Sequence, residues 1–300
     1  MLSPDSSTHK TTRPARGIAR LAGFSILACE GPQAGAFLQA QLMNDVAALA
    51  VGQWQWNGWL TAKGRVVALF ALLRTGEEAF RLVLPDFPAD ELRVALMRFV
   101  FRSKVRLAVE STLACAGAFE APPASGNGER DQAMDADGAW ALDVGGDTLA
   151  RTLWLLPQDD CGDADPRLDA AWHRADLRHG LPRLGPAQRE AWTPQMLSLQ
   201  RLRAYSVKKG CYPGQEIVAR THFLGHAKRG LALVAGADLA EGLAVTTDPA
   251  GAAIGSLACV DAAGTLALAV VSLESADQSL VVGTSAVERM PLDEGLQRPA

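Results

Sequence analysis

One short segment of the chain concentrates the side chains that could carry out chemistry. In thirteen positions it reads Lys208-Lys209-Gly210-Cys211-Tyr212-Pro213-Gly214-Gln215-Glu216-Ile217-Val218-Ala219-Arg220. Gly210 and Gly214 allow backbone angles or close approaches that side chains forbid, and Pro213 stiffens the turn between them. The thiol of Cys211 is therefore expected at a defined position, where the two lysines before it would favour the reactive thiolate.

Composition alone leaves a second interpretation of Cys211 open. A free cysteine is most often a small apolar side chain, so a buried structural thiol in a tight turn is the alternative. A hydrolase-type thiol needs a neighbouring base, and the sequence places none of His173, His179, His222 and His226 beside it. The last two are four residues apart, but a usable metal site needs at least three ligands and no third is identifiable. We therefore expect no metal.

The aromatic residues suggest a site for a flat heteroaromatic ligand. Seven tryptophans occur with two tyrosines, and such rings hold flat ligands by stacking. Trp172 precedes a predicted helix end at Gly180 and Pro182, which puts its ring near a domain junction. Packing in the core is the alternative for Trp172, and it is our interpretation of Trp54 and Trp56, which share one strand face.

The spacing of apolar residues predicts the elements that position these side chains. The first residues lack an apolar period, and the pattern then changes from helical spacing to the alternation of strands. The predicted elements are a helix at 37–42, a meander of strands at 54–60, 66–73 and 80–84, a helix at 88–102 and a strand at 105–109.

Two further regions differ in composition. The segment 120–138 concentrates turn-forming residues and predicts an exposed, flexible loop. Short apolar runs at 231–234, 252–260, 265–273 and 280–282 are separated by Gly, Asp and Ser, which is typical of a small antiparallel barrel or sandwich.

The charges are unevenly distributed along the 300 residues, although their sum is only −4. Eleven acids and two arginines between 120 and 165 give a net charge of −9, whereas seven basic residues and one acid between 201 and 229 give +6. The small total gives no electrostatic case for a protein that coats nucleic acid or an anionic membrane.

The cysteines and the apolar runs indicate where in the cell the protein is expected. The five cysteines, at 29, 115, 161, 211 and 259, are too far apart for zinc or cluster motifs and indicate a reduced, cytoplasmic chain. The longest aliphatic run, 66–73, is too short to span a bilayer, so we expect no membrane association. The stretch 21–29 superficially resembles a signal peptide, but its apolar part is short and interrupted, and we interpret it as a first strand.

The segment around Cys211 resembles the signature of the YgfZ group of folate-binding proteins, relatives of the glycine-cleavage aminomethyltransferase. The match comprises Lys209-Gly210-Cys211-Tyr212-Pro213-Gly214-Gln215-Glu216 and then Ala219-Arg220. Further matching pieces are Phe37-Leu-Gln-Ala-Gln41 with Asn44-Asp45-Val46, Lys63-Gly64-Arg65, Gly180-Leu-Pro182, Thr193-Pro-Gln-Met196 and Lys228-Arg229. Together they cover about residues 20 to 290.

This resemblance implies a GcvT-like α+β fold, in which three parts form a ring around a central folate cavity and a C-terminal antiparallel β-barrel closes it. The implied parts are a disordered tail at 1–19, a first α+β folate-binding domain at 20–110 plus about 186–224, a second inserted α+β domain at 111–185 with the flexible loop 120–138, and the barrel at 225–300.

The resemblance also implies a ligand, tetrahydrofolate or a one-carbon derivative of it. The folate-contacting aromatic residues of the family correspond here to Phe24 and Trp172. The family commonly has Trp at the first of these positions, and Phe keeps the stacking face but lacks the indole donor. We expect Arg220 and Arg229 to meet the anionic tail of the folate.

Within the signature, Cys211 is the candidate functional thiol and Lys209 its candidate catalytic partner. Whether the thiol serves redox exchange, cluster handling or one-carbon transfer stays open. The residues that support the motif are Gly210, Tyr212, Gly214, Gln215 and Glu216.

The implied function is the maturation or repair of iron–sulfur enzymes, including one that thiomethylates tRNA. The expected partners are folate and iron–sulfur client enzymes or assembly factors. The aminomethyltransferase branch has a catalytic Asp just after the turn that corresponds to Gly64, where this chain has Val67 and its apolar neighbours. Its acid before the Gly-x-Pro turn is replaced by Arg178 and His179. We therefore expect a folate-dependent factor rather than a stand-alone enzyme, and disfavour aminomethyl transfer.

A direct tRNA-binding module is a third hypothesis. It is suggested by the basic stretch 201–229 and by Arg98, Arg102, Lys104 and Arg106. Because aromatic residues are sparse among those cations and no RNA-binding motif is present, we disfavour direct nucleic-acid binding.

Overall fold

A computed structural model of the chain describes residues 18–123, 130, 132–136, 138–225 and 227–298. It contains two five-stranded sheets and a closed barrel. The predicted tail at 1–19 lies outside the described residues except for its last two positions. The described chain begins with a two-residue strand, β1 (Ala19–Arg20), which belongs to the second sheet.

The first sheet is antiparallel and contains the predicted meander. Its elements are β2 (Phe24–Glu30), α1 (Ala34–Gln41), β3 (Trp54–Leu60), β4 (Val66–Gly76), β5 (Ala79–Pro85), α2 (Ala89–Met97) and β6 (Arg106–Val109). The strand order is β3-β4-β5-β2-β6. The helix α2 is shorter than the predicted 88–102, because its buried stripe ends at Leu96 and the amide of Phe99 donates to the Leu96 carbonyl in a tighter turn.

The long apolar run in β4 is explained by burial of the sheet on both faces. Phe70 and Leu72 pack with the residues under α1 and α2, whereas Leu69, Ala71 and Leu73 pack with the second sheet. A strand covered on both faces has no polar side to alternate with the apolar one. The first sheet therefore separates two layers of core.

The second sheet has the strand order β1-β7-β10-β9-β8. Its elements are β7 (Leu113–Ala118), β8 (Met134–Ala136), β9 (Ala139–Asp143), β10 (Thr152–Pro157) and α3 (Pro166–Arg178). The predicted loop at 120–138 is therefore wrong in part, because β8 lies inside it and pairs with β9. Residues 124–129, 131 and 137 of that prediction lie outside the described residues.

The helix α3 has a capping signal at each end. Asp165 accepts a hydrogen bond from the amide of Arg167, and Pro166 occupies the first helical turn. The helix ends before Gly180, whose φ of 68° is the left-handed conformation that glycine adopts easily. These caps set the position of the side chains on its buried face.

The C-terminal part is a closed antiparallel barrel, as predicted. After α4 (Gln215–Phe223) the strands are β11 (Arg229–Ala235), β12 (Ala244–Thr246), β13 (Gly255–Val260), β14 (Leu266–Ser272), β15 (Leu280–Val282) and β16 (Ser285–Met290). One buried cluster includes Leu73 of β4, Leu155 of β10 and Val270 of β14, so all three sheets share a continuous core. The α+β fold class is confirmed, and the domain boundaries stay a prediction.

None of the helices that the structure describes has the length and apolar character that crossing a bilayer requires.

Candidate functional site

The cysteine loop, residues 208–214, is positioned by the close approach of two glycine turns. Gly214 precedes α4 with a φ of 79°, and Gly64 has a φ of 68°. A Cβ atom on Gly214 would lie 2.5 Å from the carbonyl oxygen of Thr61 and 2.6 Å from the Cα atom of Gly64. Both positions thus require glycine, because their conformation and their packing leave no room for a side chain.

Lys209 anchors the cysteine loop to the C-terminal end of α1. Its buried ammonium donates hydrogen bonds to the carbonyl oxygens of Gln39 at 2.6 Å, Leu42 at 2.6 Å and Asn44 at 3.1 Å. Carbonyls at a helix C-terminus lack intrahelical donors and attract cations. Burial lowers the pKa of Lys209 to about 8, and the nearby carboxylate of Asp45 opposes this shift.

These contacts change the part that the sequence assigned to Lys209. Three carbonyls use all three ammonium protons, so Lys209 holds the loop in place and does not pair with the Cys211 thiol. Lys208 is exposed. Lys209 is consequently a positioning residue, and the sequence could not reveal this because its acceptors lie about 165 residues away in the chain.

Tyr212 and Gln215 complete the internal bonding of the loop. Tyr212 is buried, and its hydroxyl donates to the carbonyl of Ser206 at 3.2 Å. Burial raises the pKa of Tyr212, and the neighbouring Tyr205 adds to this effect. The side-chain amide of Gln215 donates to the carbonyl of Lys209 at 3.0 Å. Both motif residues therefore support the loop, whereas the Glu216 side chain is exposed.

Cys211 is the exposed cysteine among five free thiols in the described chain. The alternative of a buried structural cysteine is therefore wrong for this residue. Burial raises the pKa of Cys29 and of Cys259 to about 12, and it raises the pKa of Cys115 further. Thiols with such pKa values stay protonated and unreactive near neutral pH. Cys211 is thus the one thiol that solution reagents or a partner can reach.

The described residues contain no cluster of three or more His, Cys, Asp or Glu side chains that could hold a metal ion. His222 is exposed at the end of α4, and His226 lies outside the described residues.

A cavity lies between the first two sheets, and it brings the two predicted folate residues together. Phe24 and Trp172 are 148 positions apart in the sequence and line the same space. Its wall also includes Trp56, Val83, Leu153 and Asp176. Only about 10 Å³ is open to a water molecule, which is about the room for one water.

Asp176 is the charged residue of this cavity wall, and it is held by two arginines. Its Oδ1 accepts from Nη1 of Arg151 at 2.6 Å, and its Oδ2 lies 2.8 Å from Nη2 of Arg183. Arg183 also pairs with Asp86 at 3.0 Å. Burial by itself raises the pKa of Asp176, but the two guanidinium groups outweigh it, so the pKa is lowered and the carboxylate is ionised.

The same arginines cover the aromatic rings. The Arg151 guanidinium lies 4.9 Å from the ring centre of Trp172, and that of Arg183 lies 5.1 Å from the ring centre of Phe24. Trp172 is 1 % exposed, and a Cβ atom on Gly117 would lie 2.8 Å from its ring. A bicyclic ligand can stack on these rings only after the guanidinium groups move.

Arg220 and Arg229 are exposed, on α4 and at the start of β11, and neither belongs to the cavity wall. The cationic groups next to the cavity are instead Arg151 and Arg183, and neither they nor Asp176 were predicted from the sequence. The sequence did contain one indication that Asp176 belongs to the site. Trp172 and Asp176 are four residues apart on a predicted helix and therefore share a face.

Several bacterial proteins are similar to this chain in sequence. A protein named tRNA-modifying protein YgfZ from Vibrio vulnificus is 28 % identical over 237 residues, covering 75 % of this chain and 71 % of the relative. One of the same name from Cronobacter sakazakii is 29 % identical over 231 residues, covering 72 % and 70 %. An uncharacterised protein of Haemophilus influenzae is 29 % identical over 212 residues, covering 70 % of each chain. No protein-family model matches.

Among solved structures, the chain resembles the glycine cleavage system aminomethyltransferase T of Bartonella henselae. The TM-score is 0.72, and the match covers 92 % of this chain and 84 % of that one. At 16 % sequence identity the likeness establishes the fold alone. It confirms the predicted GcvT-like architecture with its C-terminal barrel.

Proposed function

The chain belongs to the YgfZ family, and on this premise we propose that it is a tetrahydrofolate-binding accessory protein for the maturation or repair of iron–sulfur enzymes. Through those enzymes it supports tRNA modification indirectly, in keeping with the name of its relatives. The observation that carries the proposal is the cavity shared by Phe24, Trp172 and Asp176. It combines the aromatic rings of Phe24, Trp56 and Trp172 with a single charged acceptor.

The chemistry of this wall suits the pterin end of a folate. A pterin is flat and carries two adjacent N–H groups on its pyrimidine edge, which match the two oxygens of an ionised carboxylate. Asp176 supplies that carboxylate, and Phe24 and Trp172 supply the stacking faces.

Binding requires the cavity to open, because it now has room for about one water molecule. Arg183 is the group whose movement would achieve this, since it lies over Phe24 and is shared between Asp176 and the half-exposed Asp86. Once displaced toward solvent, its guanidinium is available for the carboxylates of the folate tail, in addition to the predicted Arg220 and Arg229.

Cys211 is the functional thiol of the proposal. It is exposed on a loop whose backbone is fixed by Lys209, Gly214 and Tyr212, so a partner enzyme can reach a thiol at a constant position. The five unpaired cysteines support a cytoplasmic location. We do not propose aminomethyl transfer, since Val66 and Ala68 are buried apolar residues and offer no carboxylate to the reacting amine.

Titration calorimetry with reduced tetrahydrofolate tests the proposal. Phe24→Leu and Trp172→Phe keep apolar volume and reduce the stacking area, so we expect each to weaken binding by about 5- to 10-fold, or about 1 kcal/mol. Trp154→Phe is the matched control, because Trp154 is a partly buried residue of β10 outside the cavity wall. Absence of binding to the unaltered protein, or equal binding by all three variants, would overturn the proposal.

A further inference from the structure

The loop between α2 and β6 carries exposed aromatic and basic side chains that the proposed function does not use. We call Arg98, Phe99, Phe101, Arg102 and Lys104, together with Arg106 at the start of β6, the basic aromatic loop. Phe101 is 85 % exposed and Phe99 is 46 % exposed. Large apolar side chains exposed to this degree in one contiguous loop mark an interaction site more often than a solvated surface.

The cations of this loop lack acidic neighbours in their own segment of the chain. No acidic residue occurs from 92 to 109 in the sequence. Within the described part of the chain, the four cations of the loop form no ion pair, whereas nearby Arg93 pairs with Asp90. An occupant of this surface must therefore bring negative charge as well as apolar or aromatic area.

The backbone and rings of the loop are held in place before any partner arrives. The amide of Phe101 donates to the carbonyl of Phe99 at 3.1 Å, and the amide of Lys104 donates to Oε1 of Gln33 at 2.6 Å. The ring of Phe99 meets Trp59 edge-on at 6.3 Å, and the guanidinium of Arg102 lies 5.1 Å from the ring centre of Phe101. Such order lowers the entropy cost of binding.

We propose that the basic aromatic loop binds a single-stranded segment of RNA, with bases stacked on Phe99 and Phe101 and phosphates held by the four cations. Alternation of aromatic rings with arginine and lysine is the combination that single-stranded sites use. The cores of protein interfaces are depleted of charge, whereas here every exposed ring has cations beside it. The sparse aromatic residues among these cations disfavour nucleic acid when the sequence is considered alone, and the exposure of Phe99 and Phe101 alters this conclusion.

The expected affinity for RNA follows from the number of phosphates neutralised and from the free energy of base stacking. Neutralising four phosphates of a single strand gives a salt slope of about −3 in log K against log [salt], so affinity falls about 50-fold between about 50 and 200 mM salt. Each stacked base contributes about 1–3 kcal/mol, which is a factor of about 5 to 160 in affinity.

Fluorescence anisotropy with a short labelled single-stranded RNA of mixed sequence tests the inference. We expect Phe101→Ala to weaken binding by about 5- to 160-fold at constant salt slope, because it removes a stacking ring and no charge. We expect Arg98→Ala combined with Arg102→Ala to reduce the slope from about −3 to about −1.5. All substituted side chains are exposed, so the fold should persist, and thermal unfolding checks this.

Two control variants make the result specific to the loop. Arg167→Ala removes an exposed cation at the start of α3, and Phe223→Ala removes a ring that is 66 % exposed at the end of α4. We expect both to bind RNA as the unaltered protein does. Equal losses in the controls, or no RNA binding at all, would overturn the inference.

Parallel titrations with polyglutamate and with vesicles of phosphatidylglycerol and phosphatidylcholine distinguish other anionic occupants. Binding of either one without binding of RNA would overturn the proposal in favour of an acidic protein or a lipid surface. None of the substituted residues belongs to the cavity wall, so the outcome does not depend on folate binding.

Discussion

The ammonium group of Lys209 lies 2.6 Å from the carbonyl oxygen of Leu42, just beyond the last turn of α1. This bond and its two neighbours join the cysteine loop to the first sheet across more than 160 residues of sequence. The position of the exposed Cys211 thiol thus depends on a helix that contributes no residue to the loop itself.

Substitution of Lys209 tests its structural role. Lys209→Met keeps most of the side-chain volume but leaves three buried carbonyl oxygens without a donor. Since unsatisfied buried polar groups are costly, we expect a loss of about 2–4 kcal/mol in the free energy of unfolding. Urea unfolding measures it. Lys208→Met is the matched control at an exposed position, where a change of less than about 0.5 kcal/mol is expected.

The lowered pKa of Lys209 predicts a pH dependence of stability. Its pKa is about 8 in the folded protein, against an ordinary value of 10.5, because burial penalises the charged form. Between these values the unfolded chain binds more protons than the folded one, so the contribution of this group to stability increases as pH rises from 8 to 10.5. We expect the stability difference between the unaltered protein and Lys209→Met to grow over this interval. A constant difference would contradict the predicted ionisation.

The two glycines of the cysteine loop should respond differently to alanine. A Cβ atom on Gly214 would lie 2.5 Å from a backbone oxygen, and the φ angle of Gly214 is positive. A Cβ atom on Gly210 would have no other atom within 4 Å. We expect Gly214→Ala to lower the free energy of unfolding by about 2–4 kcal/mol and Gly210→Ala to change it by less than about 0.5 kcal/mol. Similar losses in both variants would show that the loop is not anchored at Gly214.

The exposure of one cysteine predicts a simple labelling result. A thiol-reactive dye should modify Cys211 rapidly in the native protein, and modify the other four cysteines only after denaturation, because they are buried. Cys211→Ser should abolish the rapid phase while leaving thermal unfolding unchanged.

In cells, the same variant tests the proposed function. Cys211→Ser should reduce the activities of iron–sulfur enzymes, whereas Cys259→Ala, which keeps Cys211, should retain them to the extent that the protein folds. Unchanged activities in Cys211→Ser at normal protein level would contradict a functional thiol.

Asp176 should discriminate between ligands by their hydrogen-bond edges. A reduced pterin offers two adjacent N–H donors, whereas the matching lumazine has an oxygen in place of the amino group and places a lone pair against the carboxylate. We expect the pterin to bind at least about 10-fold more tightly, corresponding to one lost charge-assisted hydrogen bond. Calorimetry with both compounds measures this without altering the protein. Equal affinities would show that the Asp176 carboxylate does not accept hydrogen bonds from both N–H groups of the pterin.

A substitution of Asp176 acts on stability as well. Asp176→Asn leaves the buried Arg151 and Arg183 without their shared counter-ion, for which we expect a loss of about 3–5 kcal/mol. Because the pKa of Asp176 is lowered in the fold, its contribution is present above its ordinary value of 3.8 and is lost as pH falls through the folded pKa. Unfolding midpoints from pH 7 downward should therefore converge for the variant and the unaltered protein.

Several features of this protein follow from local sequence. The apolar run of β4, the end of α3 before Gly180 and the short strands of the barrel depend on neighbouring residues, and the patterns predicted all three. The glycines at 64 and 214 and the motif around Cys211 were recognisable for the same reason, since a tight turn is specified by the residues within it.

Only the tertiary structure decided which distant groups meet. Arg151 precedes β10, Asp176 lies on α3 and Arg183 follows the turn at Gly180, and these groups form ion pairs only when the segments pack. The acceptors of Lys209 and the exposure of Phe101 likewise depend on packing between segments, because burial and ion pairing are properties of the folded surface. Local patterns therefore specified the elements and the reactive loop, and the free energy of packing selected the partners that surround the site.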